Sequence, residues 1–238
     1  NTEKADLEKT LGSKARMKTL VKKELLAIAK EYGDDRRSPL TSVAEASAFS
    51  DEDLLINEPI TVVLSEKGWA RAAKGHDTDP QELNYRGGDA FAQAARGRTN
   101  ETLVFFDSNG RTYNMAPHTL PSARGQGEPL TGRFKPPPGA RFLGVALGKG
   151  DLRVLMASNA GFGFVGRLSD MVTKNKAGKA VLTVPAGGVA LTPCVFALED
   201  LDDVAQTNVA AVTDQGRLLI FPLAELPELA RGKGNKLI

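Results

Sequence analysis

Four glycines constrain this chain more than any other feature. Gly68, Gly110, Gly161 and Gly216 lie 42, 51 and 55 residues apart, and each ends a polar turn between two β-prone runs. The first runs are residues 60–64, 103–106, 154–156 and 209–212; the second are 69–72, 111–115, 162–166 and 217–221. The turns between them read Ser65-Glu66-Lys67-Gly68, Asp107-Ser108-Asn109-Gly110, Ser158-Asn159-Ala160-Gly161 and Thr213-Asp214-Gln215-Gly216. Strand, glycine turn and strand together predict a β-hairpin. After each hairpin comes a spacer, often with proline (Pro117, Pro121, Pro222, Pro227), and then a basic loop containing glycine. From hairpin glycine to loop glycine (Gly88, Gly127, Gly178, Gly234) the offset is 20, 17, 17 and 18 residues. Periods of roughly 40–50 residues with several strands each predict a propeller-like wheel. A small sheet cannot bury its faces alone, and stacking neighbours around an axis buries them. The body is therefore expected to be all-β, with about four recognisable blades near 58–100, 101–142, 143–190 and 191–238.

Ahead of the repeats, residues 1–33 predict helix. Leu7, Leu11, Met17, Val21, Leu25 and Ile28 recur at spacings near three and four, with Lys, Glu and Arg between them. Tyr32-Gly33 suits a C-terminal stop in which glycine takes the left-handed conformation. Such a helix is marginal by itself in water and is expected to pack on something. Residues 34–57, with the acidic run Asp51-Glu52-Asp53, carry no long periodic pattern and read as a linker or arm.

Composition narrows the class. The 238 residues hold 24 glycines and 13 prolines, an excess that fits many turns. A single cysteine, Cys194, excludes an internal disulfide framework and a cysteine zinc cluster. No apolar run of about 18 residues is present, so no membrane partner is expected. The chain starts at Asn1 rather than Met, as a piece of a longer protein would.

With 31 Lys and Arg against 29 Asp and Glu, the net charge is only +2, which by itself argues against a polycationic nucleic-acid binder. Its distribution argues the other way. Residues 96–141 hold seven basic and three acidic groups, whereas 189–215 hold five acids and no Lys or Arg. The basic loops are Tyr85-Arg86-Gly87-Gly88, Arg124-Gly125-Gln126-Gly127, Lys174-Asn175-Lys176-Ala177-Gly178-Lys179 and Arg231-Gly232-Lys233-Gly234-Asn235-Lys236. Any one of these cations is an ordinary solubilising residue, but recurrence at a fixed offset places them on one edge of the wheel. There Arg and Lys can contact phosphates, and glycine lets backbone approach a ligand. The expected DNA contacts are Arg86, Arg124, Lys174, Lys176, Lys179, Arg231, Lys233 and Lys236, with Arg71, Lys74, Arg111 and Arg133 as a further set.

On these residues the chain resembles the C-terminal region of the ParC-type subunit of bacterial DNA topoisomerase IV, related to the gyrase A C-terminal domain. The matching stretches are Lys22-Lys23-Glu24-Leu25, Tyr32 to Leu40, Trp69 to Asp77, Leu120 to Gly132 and Gly232 to Lys236. The resemblance implies a β-pinwheel, a wheel whose blades exchange strands, and a leader helix that is the tail of the breakage-reunion region. It implies a domain without chemistry of its own, which binds or bends duplex DNA to aid strand passage, decatenation and relaxation in chromosome segregation. It implies a cytoplasmic, nucleoid-associated parent in which a dimer of ParC-type subunits works with a separate ATPase subunit. The catalytic tyrosine and the Mg²⁺ site would lie outside this segment and the ATP on that ATPase subunit, leaving no catalytic residue, metal or cofactor here. Two departures matter. Gyrase A carries a Gln-Arg-Arg-Gly-Gly-Lys-Gly box that drives chiral wrapping, whereas Asn84-Tyr85-Arg86-Gly87-Gly88-Asp89 has one Arg and an Asp in place of the Lys. Relatives usually have about five blades; with four repeats the wheel is expected to be open, its unpaired edge available for self-association.

Weaker motifs are set aside. Gly161-Phe162-Gly163-Phe164-Val165-Gly166 fits a dinucleotide fingerprint but coincides with a hairpin turn rather than a strand-to-helix turn. His76 and His118 lack metal-ligand companions and read as surface residues, with His118 able to reach DNA. Asn100-Glu101-Thr102 is a sequon without meaning unless secreted. Tyr32, Tyr85 and Tyr113 read as packing residues at element edges, Cys194 as a buried filler, and Trp69 as core or inter-blade packing. The rival reading of the whole is a propeller used as a protein-interaction scaffold.

Overall fold

Every glycine turn closes the same way. In the computed structural model, which describes residues 2–34, 38, 57–197 and 206–238, the four hairpin glycines have φ of +75 to +77°. Their N–H groups donate back to Ser65, Asp107, Ser158 and Thr213 at 2.9–3.1 Å. At three of those turns the first residue's side chain also caps the chain: Ser65 Oγ, Asp107 Oδ1 and Thr213 Oγ1 accept from the amides of Trp69, Arg111 and Arg217. A short polar side chain at the first position and glycine at the left-handed one suffice to specify the turn.

The strands are β1 (Pro59–Ser65), β2 (Trp69–Lys74), β3 (Phe91–Arg98), β4 (Thr102–Asp107), β5 (Arg111–Met115), β6 (Glu128–Pro129) and β7 (Phe142–Gly148). They continue with β8 (Arg153–Ser158), β9 (Phe162–Arg167), β10 (Lys179–Ala180), β11 (Cys194–Phe196), β12 (Asn208–Val212), β13 (Leu218–Pro222) and β14 (Asn235–Lys236). Three antiparallel sheets share one plan, with orders β3-β1-β2-β6, β10-β5-β4-β7 and β11-β8-β9-β14; a fourth pairs β12 with β13. In each four-stranded sheet the hairpin's first strand receives a later strand of its own repeat, and its second strand receives a short strand from the next repeat. This exchange is the wheel's defining feature, and it was invisible to hairpin pattern alone.

Alternation explains why the blades stack. On β4, Leu103 and Phe105 enter a core with Val62, Leu64, Leu130, Phe134 and Phe142, while Val104 and Phe106 enter another with Met156, Phe164, Leu168 and Met171. Each face of the second blade therefore belongs to a different neighbour. Fully burying side chains of this size contributes about 1.5–3 kcal/mol each. Strands of the first three blades also meet at a hub: Gln93 Oε1 on β3 accepts the Val145 amide of β7 at 2.8 Å. At Gly144 a Cβ would lie 2.5 Å from Pro193, next to β11.

The chain divides into two compact units, and the helical one is described by itself. The expected single helix is two, α1 (Thr2–Leu11) and α2 (Lys14–Tyr32). Gly12 and Ser13 interrupt it, and Ser13 caps α2 by accepting from the Arg16 amide. Gly33 is not left-handed: its φ is −72°, and glycine is needed because a Cβ would lie 2.1 Å from the Ala29 carbonyl oxygen. Neither helix buries a residue among those described. The linker with Asp51-Glu52-Asp53, and the acids Glu199, Asp200, Asp202 and Asp203, lie outside the described residues.

Candidate nucleic-acid interface

The basic loops are built by strand exchange. After the hairpin of one repeat, the chain runs beside the preceding blade's second strand and then turns antiparallel onto its start. The parallel contacts pair Ala72 with Ser122 and Val165 with Glu228. The antiparallel ones pair Trp69 with Pro129, Arg111 with Ala180, and Phe162 with Lys236. Between those two contacts sit Arg124 to Gly127, Lys174 to Gly178 and Arg231 to Gly234, at equivalent places on successive blades.

That geometry corrects the reason for the loop glycines. A Cβ at Gly127 would lie 2.6 Å from the Ala70 carbonyl oxygen, at Gly178 2.5 Å from Tyr113 Cε1, and at Gly234 1.9 Å from the Gly163 carbonyl oxygen. The close approach is to the neighbouring blade, not to a ligand. The loop with Gly87 and Gly88 differs: a Cβ at Gly87 would meet nothing within 4 Å.

The predicted cations then separate by what they touch. Arg124, Lys174, Lys176, Arg231 and Lys236 are exposed, and their side chains have no hydrogen-bond or ion-pair partner among the described residues. Arg86 is exposed with its guanidinium 4.4 Å from the centre of the Trp69 ring, and Lys233 holds its ammonium 3.5 Å from that of Phe162. Both are steadied on aromatic platforms at the first residue of a second hairpin strand.

Five predicted contacts are engaged inside the protein, a correction to the expected footprint. Arg71 is only 3% exposed, and its Nη1 donates to the carbonyls of Asn84 and Gly125. Arg111 Nη1 donates to the carbonyls of Ala177 and Gly178 at 3.1 and 3.2 Å. Lys179, half-buried, donates to the Asp170 carbonyl. Arg133 grips Glu128 through Nε and Nη2 at 3.0 and 3.2 Å, and Lys74 pairs with Glu58 at 3.1 Å. Arg71 and Arg111 do parallel work, each tying the next repeat's loop down through its carbonyls.

Sequence reasoning passed over Lys135. Its amide donates to the Lys176 carbonyl at 2.8 Å, so exposed Lys135 joins the Lys174–Lys176 loop although 41 residues separate it from Lys176. Only the fold brings them together, since Lys135 lies outside the repeated positions. Three smaller expectations also change. Cys194 is exposed on β11 rather than a buried filler. Tyr113 is buried in the second blade, not at an edge. The Gly161–Gly166 motif is a hairpin turn running into β9, with no helix opening at it. Among the described residues no three His, Cys, Asp or Glu side chains converge as a metal-ligand set, so the chain offers no seat for a Mg²⁺ ion. No helix described is long and apolar enough to cross a membrane.

No family model matches the chain. Among curated proteins, the A-type (ParC) subunits of DNA topoisomerase 4 from Pseudomonas aeruginosa PAO1 and Escherichia coli K12 are 52% and 50% identical, each over 236 residues. Both alignments cover 99% of this chain and 31% of the relative, so the chain spans under a third of the relatives' length. Among solved structures, the E. coli ParC C-terminal domain aligns with a TM-score of 0.68 at 50% identity, over 76% of this chain and 71% of that one. The DNA gyrase A C-terminal domain shares the fold, with a TM-score of 0.52 at 17% identity over 75% and 60%. A wheel of strand-exchanging sheets with these neighbours is a C-terminal β-pinwheel domain of the type II topoisomerases. Within that class the chain belongs to the family of ParC-type DNA topoisomerase IV subunits, whose C-terminal part it matches.

Proposed function

We propose that this chain is a non-catalytic DNA-binding domain. Its basic rim holds duplex DNA through phosphates, and thereby helps the parent enzyme present a segment for strand passage. One observation carries the reading: strand exchange sets outward cations with no internal partner (Arg124, Lys174 and Lys176, Arg231) at equivalent positions on successive blades. Lys135 and the aromatic-seated Arg86 and Lys233 extend the same surface. Such contacts position DNA without reading its bases. If the duplex bends around the wheel, the deformation costs about 1–6 kcal/mol for a 20–30 bp site, offset by added phosphate contacts.

In this reading the chain works in the cytoplasm on the nucleoid, within an assembly of two ParC-type subunits and their ATPase partners. The breakage chemistry, with its Mg²⁺ and ATP, belongs to other parts of that assembly. Decatenation and relaxation are the parent's activities, to which this domain contributes DNA geometry.

The test is a titration of fluorescently labelled 30-bp duplex at several salt concentrations. Phosphate binding gives log K falling against log salt with a slope of about −0.9 per contact, and Arg124→Glu with Lys176→Glu flattens it. A flat response, or no binding at low salt, overturns the reading in favour of a protein-interaction scaffold.

A further inference from the structure

Arg71 cannot touch DNA, yet what it holds gives it a part in binding. It is buried, with Nη1 donating to the Asn84 carbonyl at 3.0 Å and the Gly125 carbonyl at 2.8 Å. Its Cζ lies 4.7 Å from the centre of the Tyr85 ring, and Tyr85 is itself fixed by a 2.6 Å hydrogen bond to the Pro80 carbonyl. No carboxylate pairs with this guanidinium among the described residues, and its Nη2 is buried without a partner. A buried cation lacking a counter-ion is costly. Two features of the site make use of it.

First, the two carbonyls come from different repeats. Asn84 lies two residues before Arg86, and Gly125 directly follows Arg124. A planar guanidinium can hold both carbonyls and stack on a ring at once, whereas an ammonium cannot. Second, the unneutralised charge lies beneath the surface that carries Arg86 and Arg124 and adds to its positive potential. We infer that Arg71 is a positioning residue that couples the first and second basic loops, so that Arg86 and Arg124 engage one DNA segment as a unit. This inference rests on the DNA-binding reading above.

The experiment uses the whole chain, with Arg71→Met (most of the stem, no charge) and Arg71→Lys (charge, no fork). Amide hydrogen exchange is followed in residues 85–88 and 125–127, alongside binding of labelled 30-bp duplex across a salt series. In Arg71→Met the amides of both loops exchange about ten-fold faster or more, while those of β8 and β9 do not change. The salt slope flattens by about 1.8, two phosphate contacts' worth, matching the Arg86→Ala/Arg124→Ala double variant. Adding Arg71→Met to that double variant removes nothing further. Arg71→Lys loosens both loops with a smaller loss of binding, and it replaces Arg71→Met in every comparison should the latter not fold. Loosening of one loop alone, or losses that add fully to those of the double variant, overturns the coupling. Duplex binding that Arg71→Met leaves untouched overturns this proposal alone, whereas a wild-type chain that binds no duplex overturns the DNA reading and this proposal with it.

Discussion

The Tyr113 hydroxyl donates a 2.7 Å hydrogen bond to Oδ2 of Asp107, and both residues are sealed inside the second blade. Oδ1 of the same carboxylate accepts from the amides of Asn109 and Arg111 at 2.9 and 2.8 Å, so one side chain closes the hairpin turn and anchors the strand after it. The tyrosine ring lies between Phe134 and Phe142, with centroids 5.2 and 5.3 Å away. Burial, reinforced by the hydrogen bond to Asp107 and its negative charge, pushes the Tyr113 phenol well above the usual tyrosine range. In the unfolded chain this group ionises near pH ~10, whereas the folded protein retains the proton. Its contribution to stability is therefore complete below about pH 10 and is lost as pH rises beyond it. Tyr113→Phe is expected to cost about 1–3 kcal/mol at neutral pH, because the buried carboxylate loses a donor. The variant's denaturant midpoint should then fall less steeply above pH 10 than that of the wild type. Parallel alkaline slopes would exclude Tyr113 as the group responsible.

Two loop glycines make opposite predictions. Gly178 has φ +75° and no room for a Cβ beside Tyr113. Gly178→Ala should destabilise by about 1–3 kcal/mol from backbone strain alone, with displacement of the Tyr113 ring in addition. Gly87 has free space and no left-handed φ, so Gly87→Ala should leave stability within about 0.5 kcal/mol. Urea unfolding of both variants distinguishes a loop glycine that serves blade docking from one that does not. Equal losses would mean that close approach to the neighbouring blade is not what Gly178 provides.

At the hub, Gln93 accepts the Val145 amide, and Val145 is 1% exposed. Gln93→Ala leaves that buried N–H without its partner, at a cost of about 1–3 kcal/mol. Gln93→Glu keeps an acceptor and should recover part of the loss. The check is a chemical-denaturation comparison of the two variants, and an alanine variant as stable as the wild type would show the bond to be dispensable.

The hairpins were legible because their turns are local: Asp107 and Gly110 need only their own backbone to define the connection. The strands added to those hairpins were not. β3 reads Phe-Ala-Gln-Ala-Ala-Arg-Gly-Arg, with little intrinsic strand preference, and becomes a strand by pairing with β1. β6 is two residues, one of them proline, and exists because Trp69 and Ala70 offer an open edge. The same distinction governs the site. The positions of Arg124, Lys176 and Arg231 followed from the repeat, but Arg71 and Arg111 have the same residue type and opposite roles. Only the identity of the carbonyls around them reveals that. Likewise, spacing identified the glycines of the basic loops, yet it carries no information on whether the close neighbour is a ligand or another blade.

If DNA binding runs through the rim, charge removal should divide along the contacts seen here. Arg124, Lys174, Lys176 and Arg231 have no internal partner among the described residues, so each is available to a phosphate at no internal loss. Changing any one of them to Gln should flatten the salt dependence by roughly 0.9, one phosphate contact, and weaken binding similarly for unrelated duplex sequences. Lys135→Gln belongs with this group, since its amide bond to Lys176 fixes it beside that loop. Arg133 and Lys74 are already paired with Glu128 and Glu58 at the surface. Exposed pairs of this kind contribute about 0–1 kcal/mol to stability, so Arg133→Gln and Lys74→Gln should change neither fold nor salt slope. Fluorescence anisotropy of these variants across a salt series gives the slopes directly. An Arg133→Gln slope as shallow as that of Arg124→Gln would mean that the ion pair opens on binding, and that partnering in the free domain does not mark which cations meet DNA.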